Sequence, residues 1–73
     1  MQIKYFQDTD TLLINFNNNL VYETKDINEN TLVELDENGI VVSMTFEHAK
    51  SVADINYISY QQLATAWKMC NKY

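Results

Sequence analysis

The chain has 73 residues, 47% of them hydrophobic, and a formal net charge of −5 at pH 7. That length makes one domain with a thin core, because a chain of this size buries only about 60% of its unfolded surface and needs tight packing or a partner subunit to compensate. The single cysteine excludes an internal disulfide, no residues have zinc-site spacing, and no leader or long apolar run is present, which predicts a cytoplasmic protein without a membrane span or cofactor.

Gln2 to Phe6 reads as a first strand with Ile3 and Tyr5 on one face. Gln7-Asp8-Thr9-Asp10 is a polar turn. Thr11 to Phe16 is a second strand with Leu12, Ile14 and Phe16 on one face. A four-residue loop pairs Phe6 with Thr11, Tyr5 with Leu12 and Ile3 with Ile14, so the two apolar faces coincide. Asn17-Asn18-Asn19 favours a loop. Leu20 to Ile27 is a third strand of weaker pattern, with Val21 and Ile27 on one face and Leu20 and Tyr22 on the other. Which of these faces points inward stays open.

After the polar loop Asn28-Glu29-Asn30, residues 31–47 predict a hairpin. Asn38-Gly39 predicts a two-residue type I′ turn, whose central residues both need φ > 0. This register sets Glu37 opposite Ile40, Leu35 opposite Val42, Val33 opposite Met44 and Thr31 opposite Phe46. A three-residue loop would pair Leu35 with Val41 and Val33 with Ser43, splitting the apolar set. Glu34, Asp36, Ser43, Thr45 and Glu47 then face water or a partner.

Residues 48–58 lack alternation and form a connection. Ser59 is a helix N-cap, and Gln62 completes a capping-box pattern. The spacing predicts a helix from Tyr60 to about Asn71, with Leu63, Ala66, Trp67 and Cys70 as its apolar stripe. The predicted architecture is an α+β single domain: a five-stranded antiparallel β-meander over residues 1–47, the connection, and a C-terminal helix over residues 59–71. The helix lies either on the apolar face of its own sheet or across a dimer interface.

Residues 3–49 resemble a family of short bacterial proteins, domain of unknown function 2283. Tyr5, Asp10, Leu12 and Ile14 match the first part of its pattern. Glu23-Thr24 match the second, and Leu35-Asp36, Gly39, Val41 and Val42 the third. Phe6, Leu13, Ser43-Met44-Thr45-Phe46 and Glu47-His48-Ala49-Lys50 depart from it. The resemblance implies a β-meander and no particular reaction. Members resemble one half of two-gene toxin–antitoxin modules, beside a compact ribonuclease-like partner.

Candidate chemistry is sparse. Asp8 and Asp10 form an Asp-x-Asp pattern without the glycine and glutamate of a calcium loop, and read as a turn. Glu34, Asp36 and Glu47 read as a solvated face more readily than as an acid–base pair. His48 has no nucleophile in a recognisable motif beside it. Cys70 reads as a small apolar group. Trp67 is either core or an interface anchor.

The charge is uneven: residues 1–49 hold nine of the ten acidic groups and only Lys4 and Lys25. Arginine is absent, which argues against direct nucleic-acid binding. These features predict a non-catalytic module that binds a basic protein, with antitoxin-like neutralisation of a small ribonuclease as the concrete form. The candidate contacts are Glu23, Glu34, Asp36, Glu47 and Trp67. The alternatives are a self-associating structural protein, and a phage-type inhibitor mimicking nucleic-acid charge. A homo-oligomer is expected on either account, because sheet edges invite pairing.

Overall fold

The computed structural model describes residues 1–64. Five strands form one antiparallel sheet: β1 (Gln2–Phe6), β2 (Thr11–Asn15), β3 (Glu23–Asn28), β4 (Thr31–Leu35) and β5 (Val41–Glu47). Their order is β1-β2-β5-β4-β3. The last three strands make a meander. The β1–β2 hairpin joins it through β2 and β5, so the connection from β2 to β3 crosses the end of the sheet.

The first hairpin has the predicted register, with Ile3 opposite Ile14, Tyr5 opposite Leu12 and Phe6 opposite Thr11. Its rows continue across the sheet. Ile14 faces Met44, which faces Val33; Leu12 faces Phe46, which faces Thr31. These rows form one apolar face, because cross-strand partners point the same way.

The second hairpin differs at its tip. Val33 pairs with Met44 and Thr31 with Phe46, as expected, but Leu35 pairs with Val41. Gly39 has φ +83°, whereas Asn38 is not among the positive-φ residues, so the turn is not type I′. Gly39 N–H donates to Asp36 O (3.0 Å) and Asp36 N–H to Ile40 O (2.9 Å). The loop is therefore Glu37-Asn38-Gly39, a three-residue turn with its left-handed position at glycine. Such a loop shifts the register by one residue and would carry the apolar side chains to the wrong face. A bulge at Val42 shifts it back, because Glu34 pairs with Ser43 while Leu35 pairs with Val41.

β3 begins later than predicted, at Glu23, and all six of its residues are exposed. It is an edge strand with neither face buried, which answers the open question of its inward face. A further bulge at Ile27 interrupts its pairing with β4.

No α-helix occurs among the described residues, so the α+β prediction with a C-terminal helix is corrected to a nearly all-β fold. Ser59 does not cap a helix, and residues 59–64 have no regular structure beyond a bend at Ala64. Gln62 accepts a hydrogen bond from the Tyr60 hydroxyl (3.2 Å) where a capping box would have turned it back to Ser59 N–H. Tyr60 and Leu63 are 79% and 66% exposed, so no packing against the sheet supports a first turn. A short helix in water depends on such packing. The rest of the predicted helix, with Ala66, Trp67 and Cys70, lies outside the described residues. Directly after β5 the chain makes a 3₁₀ turn at Ala49–Ser51.

The core is small. Among the described residues, Leu12, Val33, Val42 and Ala49 are its buried hydrophobic residues, and no large side chain is wholly enclosed. Ala53, Ile55, Tyr57 and Ile58 face Ile3, Leu12 and Ile14 across an open cleft of about 240 Å³, so the segment after the 3₁₀ turn lies over the β1–β2 end of the apolar face.

Candidate partner-binding site

The connection between β2 and β3 is rich in asparagine, and the asparagines fix its path. Phe16 N–H donates to Val42 O (2.8 Å), the bulged residue's carbonyl. Asn17 Nδ2 donates to Val41 O (3.0 Å), and Asn17 Oδ1 accepts Asn19 N–H (3.0 Å) in an Asx turn. Asn19 Nδ2 donates to Asp36 Oδ2 (2.8 Å), and Tyr22 N–H to Leu35 O (2.7 Å). The crossing segment is clamped to the β4–β5 hairpin at both of its ends and in its middle.

Asp36 is the centre of this clamp. Its Oδ1 accepts the backbone N–H of Asn38 (2.8 Å) and of Ile40 (2.9 Å). These bonds, that of Ile40 foremost, hold its carboxyl below the ordinary carboxylate range, helped by the Asn19 amide and opposed by desolvation. The residue is buried. The exposure expected of it is corrected accordingly, and both oxygens are taken by the chain's own donors. The signal was in the sequence: Asp at the first and Gly at the fourth position, Asp36 to Gly39, marks a type I turn.

The remaining candidates do not form one acidic patch. Glu34 is half-buried and accepts the Ser43 hydroxyl (2.6 Å); Ser43 is itself buried. Glu23 is exposed at the start of edge strand β3, with Lys25 Nζ 3.9 Å from its carboxylate. Glu47 is exposed opposite Thr11, four residues along β5 from the Glu34–Ser43 pair, or roughly 13 Å at strand rise. Trp67 lies outside the described residues.

The Asp8–Asp10 turn has a structural use. Asp10 adopts φ +54°, accepts the Tyr5 hydroxyl on Oδ1 (2.6 Å) and receives Lys50 N–H (3.2 Å). Its backbone O accepts Ala49 N–H (3.0 Å). The carboxylate raises the Tyr5 pKa by accepting from its O–H, with desolvation adding to the effect. His48, also left-handed with φ +56°, places Nδ1 3.0 Å from Asn30 Oδ1. Asp10 and Asn30 thereby dock the 3₁₀ turn on the end of the sheet. Among the described residues no group of three or more His, Cys, Asp or Glu side chains is placed to hold a metal ion.

Asn19, Leu20, Val21, Tyr22, Asp36, Glu37 and Asn38 line an open cleft of about 500 Å³ at the clamped end of the sheet. Leu20 and Tyr22 stand 88% and 75% exposed on it. The Glu37 side chain is exposed at its rim. Sequence reasoning missed this cleft because the run Asn17-Asn18-Asn19 carries no record of which carbonyls its amides reach.

No helix among the described residues is long and apolar enough to cross a membrane. Comparison with known proteins matches residues 2–50 to the family described as protein of unknown function (DUF2283), and the chain belongs to that family. No curated protein and no solved structure matches it. Tyr5, Asp10, Asp36 and Gly39, on which the resemblance in the sequence rests, lie at the two hydrogen-bonded nodes around Asp10 and Asp36.

Proposed function

The chain being a member of the DUF2283 family, we propose that it is a non-catalytic, cytoplasmic protein-binding module, with antitoxin-like neutralisation of a small basic nuclease as the concrete form. The observation that carries this reading is the fixed exposure of Leu20 and Tyr22 beside Glu37. Single exposed apolar side chains are common on soluble proteins and need no explanation. Here they share one cleft, and the backbone beneath them is hydrogen-bonded in place. A surface ordered before binding loses less entropy when a partner arrives.

The chemistry of the cleft fits a lysine or arginine of the partner. Its aliphatic stem would lie on Leu20 and Tyr22, and its cationic head would approach Glu37. The net charge of −5 and the absence of arginine support the same kind of partner. Attraction between opposite charges speeds encounter and weakens as salt rises. The acidic contact in this reading is Glu37, since Asp36 and Glu34 are engaged internally and Glu23 lies beside Lys25.

The test begins with co-purification from the source cells, followed by kinetics with the purified partner. A basic partner is expected, with association slowed by salt and by Glu37→Lys, and dissociation hastened by Leu20→Ser. The partner's nuclease turnover should fall as the chain is added. An acidic partner, or one that binds both variants like the original, would remove the reading. Reproducible turnover by the chain alone, abolished by His48→Ala, would replace it with an enzymatic one.

A further inference from the structure

β3 is an outer strand of the sheet, and among the described residues it pairs only with β4. Its whole length is exposed. Such an edge presents backbone N–H and C=O groups to any strand that can align with it. We propose that β3 pairs antiparallel with β3 of a second copy, about a two-fold axis through Thr24, to make a continuous ten-stranded sheet.

The register follows from symmetry and charge. A two-fold axis perpendicular to an antiparallel pair must pass midway between one residue and its own copy, because neighbouring pairs alternate in hydrogen-bonding type. The axis can therefore fall at Glu23, Thr24, Lys25 or Asp26. At Glu23, Lys25 or Asp26 it sets a charge against its own copy. At Thr24 it sets Glu23 of each copy opposite Lys25 of the other, Tyr22 opposite Asp26, and Thr24 opposite Thr24. Opposite charges and paired threonines are both favourable across strands. Glu23 and Lys25 of one chain already lie 3.9 Å apart on one face, so the two copies would build a square of alternating charge. The bulge at Ile27 ends the stretch that can pair.

The other outer strand offers no such match. β1 holds a single charge, Lys4, and Met1, Ile3, Ile58, Ser59 and Tyr60 line an open cleft beside it. The thin core, with four buried hydrophobic residues among those described, also leaves the fold open to gain from a larger sheet. This proposal does not depend on the cleft's partner, because the dimer is assayed with the purified chain alone.

Sedimentation across a concentration series tests it. The original chain should dimerise. Lys25→Glu places like charges opposite one another twice per dimer and should raise the dissociation constant by about tenfold. Glu23→Lys should do the same. The double exchange, Glu23→Lys with Lys25→Glu, restores opposite pairing and should recover the dimer. Circular dichroism should be unchanged throughout, since all these side chains are exposed. In a Cys70→Ser background, Thr24→Cys should crosslink under mild oxidation, because directly opposed Cα atoms of an antiparallel pair are about 4.5 to 5.5 Å apart, within disulfide reach. A Lys4→Cys control on β1 should not. A monomer at hundreds of micromolar, a dimer indifferent to Lys25→Glu, or a double exchange that fails to recover would each overturn the proposal.

Discussion

Gly39 separates two accounts of the β4–β5 turn by measurement. Its φ is +83°, and a Cβ built there meets nothing within 4 Å. Substitution therefore costs only what the backbone itself charges for a left-handed residue, about 1–2 kcal/mol. Gly39→Ala also stiffens the unfolded chain, which returns about 0.4–1 kcal/mol. The net loss should be about 1 kcal/mol. Gly39→Asn should lose less, because asparagine tolerates the left-handed region, and Gly39→Val more, because a β-branched residue resists it. In thermal unfolding each kcal/mol corresponds to a shift of about 4–8 °C for a domain of this size. Asn38→Ala is the discriminating control. A type I′ turn would need φ > 0 at Asn38 and suffer from alanine there. The observed turn does not, so Asn38→Ala should stay within about 0.5 kcal/mol, as surface substitutions do. Urea unfolding followed by circular dichroism gives both values. Asn38→Ala proving costlier than Gly39→Ala, or Gly39→Asn costlier than Gly39→Val, would refute the three-residue turn.

Asp36 has a folded-state pKa depressed below its ordinary 3.8, so its stabilising effect is complete above that pH and is lost as pH falls through the folded value. Asp36→Asn should accordingly flatten the acid limb of the stability curve below pH 3.8, and Asp36→Ala should destabilise more than Glu37→Ala at neutral pH. Tyr5 has a pKa raised above 10.0, so its contribution is complete below that pH and is lost as pH rises through the folded value. Ultraviolet titration should show a tyrosine step displaced to high pH, and Tyr5→Phe or Asp10→Asn should remove it. Asn19→Ala deletes the amide that holds the crossing segment to Asp36, and limited proteolysis should then cut faster within residues 17–22 than in the original chain.

Alternation was enough to read the strands wherever one face is buried. The β1–β2 register could be deduced because Ile3, Tyr5, Leu12 and Ile14 must share a side, and any other pairing would expose half of them. The same demand selected Val33 opposite Met44 correctly, although the two-residue turn assigned with it is not the one formed. It failed at Leu35, because a turn and a bulge that offset each other leave the apolar face unchanged, so the pattern cannot tell them from an uninterrupted ladder. It failed again at the start of β3, where nothing is buried and alternation has no physical cause. At Ser59 the cap signal was local, whereas a helix also needs a surface to pack on, and Tyr60 and Leu63 have none.

The acidic residues divide by a similar logic. Composition counts Asp10, Glu34 and Asp36 with the others, yet each is placed where the chain must satisfy donors of its own. Asp10 receives a tyrosine hydroxyl and a 3₁₀-turn amide, Glu34 a buried serine, and Asp36 two turn amides and an asparagine. A carboxylate used in this way is not free to reach a partner. Reversing Glu34 and Asp36 to lysine would thus break the hairpin's internal bonds and would not isolate binding. Glu37 sits one residue from Asp36 in the same turn, but its side chain is exposed. Reversal there changes the surface field while leaving the turn amides paired. The difference between adjacent positions lies in the Asp-x-x-Gly spacing, which requires a short acceptor at its first residue and nothing of the second. Any search for the partner surface therefore starts from the carboxylates the turns do not use.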